Sequence, residues 1–293
     1  MQTLSLTDGT PLRLHAWPAP ATATARRPGH VLIVHGLGEH GARYAHVAAA
    51  LNAQGWLVHG YDHRGHGESG GARGVLPHTD ALCDDLAAVI DHLALPAADL
   101  VLLGHSMGGL VAARFVAEAL APKPAVWSRP VAGLVLSSPA LDPGLSAAQR
   151  GLLALSAPLA PDLALGNGLK PEWVSRDPAV VRAYVADPLV HDRITPRLVR
   201  FIVDGGGLVR ERAAQWRVPT LLMWAGADRC VAPAGSAAFA AAAPKAVVAA
   251  QCFDGLAHEI FNEPEQAQVL AHLAGWLGRL SGPRSPDAPA PVR

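Results

Sequence analysis

Six short runs restrict the folds open to this chain: HVLIVHG (30–36), GWLVHGYD (55–62), DLVLLGHS (99–106), VAGLVLSSP (131–139), PTLLMWAGAD (219–228) and AVVAAQCFDG (246–255). Each is almost continuously apolar, and the runs alternate with glycines and helical patterns. A strand that alternates apolar and polar residues has one wet face. A strand that is apolar throughout is buried on both faces, which requires a parallel sheet covered by helices on either side. The intervening patterns predict helices at 42–54, 79–94, 107–120, 234–243 and 264–280. Ahead of them, TLSLT-DG-TPLRLHAW alternates around Asp8-Gly9 and predicts an antiparallel hairpin. The expected architecture is α/β, a mostly parallel central sheet with helices on both faces.

One interval breaks the rhythm. About 75 residues between LSSPALDPG and RVPTLLMW carry no clear strand, only prolines and short helical patterns. A structureless loop of that length is unusual in a compact domain, so residues 142–216 are expected to form a helical cap over the carboxyl ends of the strands, where open α/β sheets bind ligands. The organisation expected is a first core part (1–141), the cap (142–216), a second core part (217–280) and a disordered tail, SGPRSPDAPAPVR (281–293). The Pro/Ala/Thr/Arg stretch at 18–29 reads as a loop.

Composition narrows the function. Lys and Arg total 24, Asp and Glu total 24, and no run of like charge occurs, which argues against a nucleic acid partner. The N-terminus has no basic region or apolar core of secretory type, and no uncharged apolar run reaches the roughly 18–20 residues of a spanning helix. Three scattered cysteines, Cys83, Cys230 and Cys252, show no metal-ligand spacing and fit reduced thiols. A cytoplasmic protein with no metal and no cofactor is expected. Nothing in the sequence sets an oligomeric state.

The chemistry lies at GHSMG (104–108), a Gly-x-Ser-x-Gly motif between an apolar strand and a helical pattern. The glycines admit a strained strand-to-helix turn that lifts the Ser106 hydroxyl above the sheet beside the free amides of the helix start. A serine hydroxyl needs a base to take its proton and an acid to orient that base. In this topology both follow the serine at the ends of later strands, which selects Asp228 in WAGADRCVAP and His258 in FDGLAHEIFNEPE. Asp142 and Asp254 are the rival acids, and His272 falls inside the last helical pattern. The oxyanion donors expected are the backbone amides of Met107 and of Leu37, in the turn HGLGEHGARY.

Together HGLGEHGARY, GYDHRGHGESGG, GHSMGG, YVADPLV, AGADRCVAP and HEIFNEPE resemble the α/β-hydrolase superfamily, and within it the monoacylglycerol lipase and lysophospholipase-like group, over about residues 30–276. The resemblance implies a helical cap with an acyl tunnel, a Ser106–Asp228–His258 triad, and lipid or small-alcohol esters as substrates. Monoacylglycerol is the leading substrate, with a lysophospholipid or short ester as the alternative. It also implies Glu39, Arg43 and Tyr184 near the polar end of the site, although an i,i+4 ion pair that orders the loop is the plainer role for Glu39 and Arg43. Asp62 and Arg64 then support the active-site face, His63 and His66 are not metal ligands, and Cys230 is a passive small residue. A cap of this kind can also make transient membrane contact. A non-catalytic binding protein on the same fold is the rival from another class.

Overall fold

The computed structural model describes residues 2–18 and 29–280. The loop expected at 18–29 and the tail expected at 281–293 lie, apart from Pro18 and Gly29, outside the described residues. Strand β1 (Gln2–Ser5) and β2 (Pro11–Trp17) pair antiparallel with Leu4 opposite Leu12. The turn between them has Gly9 at φ 83, and the Asp8 carboxylate accepts the Thr10 amide at 2.9 Å. The chain continues through β3 (His30–Val34), α1 (Ala45–Asn52), β4 (Leu57–Tyr61), α2 (Ala81–His92), β5 (Leu100–His105), α3 (Ser106–Glu118) and β6 (Gly133–Ser137). After an insertion it resumes with β9 (Thr220–Ala225), α7 (Pro233–Ala242), β10 (Val248–Phe253) and α8 (Gln266–Leu280). The sheet order is β1-β2-β4-β3-β5-β6-β9-β10; the β1–β2 and β2–β4 pairs are antiparallel and the rest parallel.

The apolar strands divide their side chains between two cores. Leu32, Val34, Leu100, Leu102, Leu134 and Leu136 join the cluster under α2, α3 and α7. Their sequence neighbours Val31, Ile33, Val101, Leu103 and Val135 join the other cluster, under α1 and α8. A two-residue period with both phases buried is what a continuous apolar run produces in a covered sheet.

The insertion holds α4 (Ala147–Leu159), a two-residue ladder of β7 (Leu165–Gly166) with β8 (Arg193–Ile194), α5 (Pro178–Ala186) and α6 (Pro196–Glu211). Packing divides it where the sequence showed one unit. No residue of α4 or α5 is buried, whereas α6 buries Leu198, Phe201, Ile202 and Val209 in the same core as α3. Glycines bring α6 in: a Cβ at Gly206 would lie 2.4 Å from the Leu141 carbonyl oxygen. By packing, α6 is therefore a core helix, and the overlying part ends near Thr195, which caps α6 and donates from its hydroxyl to the Gly74 carbonyl at 2.9 Å. Among the described residues no helix is long and apolar enough to cross a membrane.

Candidate active site

Ser106 sits where β5 becomes α3, with φ 53 in the left-handed region that side chains avoid. The space for this turn comes from its glycines. A Cβ at Gly108 would stand 2.1 Å from the Val34 carbonyl oxygen and 2.2 Å from that of His35, and one at Gly104 would meet the Gly108 carbonyl oxygen at 2.5 Å. No side chain fits at either position, so the helix start lies directly against β3 and the turn after it.

His258 follows β10 and Asp228 follows β9, so the carboxyl ends of three parallel strands deliver three side chains to one place. The Ser106 Oγ to His258 Nε2 distance is 2.8 Å, and His258 Nδ1 lies 2.6 Å from Asp228 Oδ2. The other Asp228 oxygen accepts the amides of Cys230 and Val231 at 2.8 and 3.1 Å, which fixes the carboxylate. Of the rival acids, Asp142 instead pairs with Arg210 at 3.3 Å and accepts the Gly144 amide, and Asp228, not Asp254, meets His258. His272 packs edge-on against Phe253.

Burial alone would lower the proton affinity of His258, but the Asp228 carboxylate, with Glu259 and Glu39 behind it, raises it above the usual histidine value. The neighbouring His105 goes the other way. Burial, then His258, holds its pKa at about 4, and its Nδ1 lies 3.0 Å from the Ser137 hydroxyl. Burial and then Asp228 push the Cys230 thiol up, so it stays protonated. Among the described residues one group brings three metal-ligating atoms within 4.8 Å of one another: Asp228, Cys230 and His258. Two of these three are already hydrogen-bonded to each other.

The turn bearing Leu37 lies against the serine: a Cβ at Gly36 would be 3.1 Å from the Ser106 Cβ. His35 Nδ1 donates to the Gly36 carbonyl at 2.8 Å, and His35 Nε2 accepts the His63 amide at 2.9 Å. Asp62 accepts from Gly41 and Glu68, and Arg64 grips Asp85 with two hydrogen bonds of 2.6 and 2.5 Å. The segment 62–69 thus buttresses the turn. Met107 is the second residue of α3, in the first turn where helix amides have no intrahelical acceptor.

A cavity of about 340 Å³ opens over Ser106 and His258, with Leu37, Glu39 and Tyr184 in its wall. Glu39 is committed to protein partners, accepting from the Gly36 amide, the Tyr44 hydroxyl and Arg43 at 2.6, 2.7 and 2.5 Å. Arg43 also binds Glu259 with two hydrogen bonds of 2.7 Å, and its guanidinium lies 4.9 Å from the centre of the Tyr184 ring. Sequence reading missed two acids of HEIFNEPE. Besides Glu259 there is Glu263, fully buried, which accepts from Ala257 beside His258 and from Ser175 and Arg176 of the insertion. The signal was present as acids at fixed offsets from His258, but their partners are remote in sequence.

Sheet order, strand-to-helix serine turn and the helical insertion define a serine hydrolase of the α/β-hydrolase fold. The chain belongs to the family described as serine aminopeptidase, S33, whose model matches residues 25–265. It is 37% identical over 257 residues to a monoacylglycerol lipase of Mycolicibacterium smegmatis, covering 85% of this chain and 88% of that one. It is also 31% identical over 259 residues to the phospholipase YtpA of Bacillus subtilis, covering 85% and 95%. The crystal structure of the Paleococcus ferrophilus monoacylglycerol lipase superposes with a TM-score of 0.80 at 32% identity, over 92% of this chain and 99% of that one.

Proposed function

We propose that the protein hydrolyses monoacylglycerols through an acyl-enzyme on Ser106. The observation that carries the reading is the Ser106–His258–Asp228 chain of 2.8 and 2.6 Å contacts opening into the cavity. His258 Nε2 takes the Ser106 proton as Oγ attacks the ester carbonyl. The carbonyl oxygen becomes an oxyanion beside the amides of Leu37 and Met107. Collapse breaks the bond to the alcohol, which leaves with the proton from His258. Water, deprotonated by the same nitrogen, then attacks the acyl-enzyme, releases the fatty acid and restores the hydroxyl. Asp228 holds the Nδ1–H tautomer and stabilises the imidazolium.

Two relatives named as monoacylglycerol lipases support the alcohol assignment. Tyr184, from the insertion, is the residue of the polar wall that the glycerol end would meet, with Glu39 and Arg43 tied behind it. Reduced thiols fit a cytoplasmic location, and the exposed leucines of the insertion fit transient contact with a lipid surface. The test is labelling with a fluorophosphonate probe, the adduct being located by mass spectrometry. Stoichiometric modification at Ser106, blocked by prior 1-monoacylglycerol, is the expected result. Labelling that a lysophospholipid blocks and a monoacylglycerol does not would move the substrate to the phospholipid class. No labelling at Ser106 would overturn the reading.

A further inference from the structure

Three ionised side chains lie just behind the base. Glu39 is 3% exposed and Glu259 is 5% exposed, and the Arg43 guanidinium between them holds one oxygen of Glu39 and both oxygens of Glu259. Each acid is anchored to a different part of the site. Glu39 accepts the amide of Gly36, the residue before Leu37, and so fixes the turn beside Ser106. Glu259 follows His258 directly, accepts from Asn262 at 2.8 Å, and donates its own amide to the Val174 carbonyl of the insertion at 2.8 Å. Across the open face of the guanidinium lies the Tyr184 ring. The insertion meets the turn at two more points: the His191 amide donates to the Gly38 carbonyl at 2.9 Å, and His40 Nε2 lies 2.8 Å from Asp187.

We infer that Arg43 is a positioning residue for the reaction: one guanidinium ties the oxyanion turn to the loop that carries the base, and Tyr184 covers it from the insertion. The inference rests on the serine-hydrolase reading above. Only arginine suits the place, because its planar fork can serve two carboxylates at once while a lysine offers a single point charge. Burial opposes ionisation of Glu39 most strongly, but Arg43, His105 and the hydrogen bonds from Tyr44 and the Gly36 amide together outweigh it and keep the carboxyl below its usual range. The cluster is therefore two negative charges and one positive, a net negative charge next to His258. Facing that imidazole are Asp228 after β9, Glu259 and Glu39 with Arg43, and Cys230 and His105, both uncharged at neutral pH. Neutralising Glu259 then lowers the proton affinity of the base, whereas exchanging Arg43 for lysine preserves the charge and loses the geometry.

The test is kcat and KM against pH on a soluble ester, with rates expressed per fluorophosphonate-titratable serine. For Glu259→Gln the acid limb of kcat/KM moves to lower pH by about half a unit to one unit. For Arg43→Lys kcat falls about tenfold or more with KM changed less than about threefold, and the acid limb stays in place. Glu259→Gln keeps the shape of the side chain but weakens its two bonds to the Arg43 fork, so if Arg43→Lys does not fold, a several-fold lower plateau kcat in Glu259→Gln with KM little changed carries the test. A wild-type plateau kcat per titratable serine in both variants, or variants that merely contain fewer titratable serines working at the wild-type rate, would overturn the inference, and an unmoved acid limb in Glu259→Gln would remove the charge effect from it. Failure of the wild type to label would instead strike the underlying reading.

Discussion

At the scale of single residues, the site is held in a conformation its own chain disfavours. Ser106 has φ 53, and a residue with a Cβ in that region costs about 1 kcal/mol relative to glycine. Both Ser106→Ala and Ser106→Gly remove the hydroxyl, so their comparison isolates the backbone. In an ordinary helical position glycine is about 1 kcal/mol worse than alanine; here the order should reverse, with Ser106→Gly the more stable by about 1 kcal/mol while both lack esterase activity. Urea midpoints of the two variants decide it, and a more stable alanine variant would mean no strain is stored at the turn. The residue that carries this strain was legible in the sequence because glycines two positions to either side mark such a turn. Asp228 and His258 were legible by their order after it. Glu259 and Glu263 were not, because their acidity acquires meaning only through Arg43, 216 positions away, and through Arg176, 87 positions away.

At the scale of elements, what could be read depended on how many faces an element buries. Strands covered on both faces are apolar throughout and stand out, as does a hairpin with Asp-Gly at its turn. Residues 142–216 were harder, because α4 and α6 both look amphipathic while only α6 packs on the core. The apolar face of α4 is left outside: Leu152, Leu155 and Leu159, spaced three and four apart, are 67%, 65% and 82% exposed. Leu163, Leu165, Leu169 and Val185 are exposed as well, so seven of the eight exposed large hydrophobics among the described residues belong to the insertion. A helix with such a face gains by entering a lipid interface, at roughly 1.5–3 kcal/mol for each side chain fully buried. Replacing Leu155 and Leu159 together with glutamate should weaken sedimentation with phosphatidylcholine vesicles at least tenfold and slow turnover of vesicle-borne monoacylglycerol, leaving a soluble ester unaffected. Equal loss on both substrates would assign these leucines to the shape of the cavity instead.

At the scale of the whole molecule, the chain is neutral overall but stores several uncharged histidines in its interior, most of them around the turn that bears Leu37. Burial holds His35 at about 4, with His63 and His66 well below the usual value, and His191 reaches about 4 where the insertion meets that turn. His35 cannot take a second proton in place, since its Nε2 accepts the His63 amide while its Nδ1 donates to Gly36. Well above about pH 6.5 neither folded nor unfolded chain protonates these rings, and their contribution to stability is complete. As the pH falls from about 6.5 towards 4 the unfolded chain takes up protons that the folded chain refuses, so stability is lost across that window. A pKa held at about 4 rather than 6.5 amounts to about 3 kcal/mol per histidine by pH 4. His258 works in the opposite sense, because its raised affinity favours the folded state in acid, but it is one ring against several. With a total stability of about 5–15 kcal/mol to draw on, the protein should lose its denaturant midpoint steadily between about pH 7 and pH 5 and unfold soon below, with the turn that bears Leu37 the first structure to go. A midpoint that stays constant over that range would mean that the histidines protonate where they stand, and the hydrogen bonds assigned to His35 and His63 would then have to be redrawn.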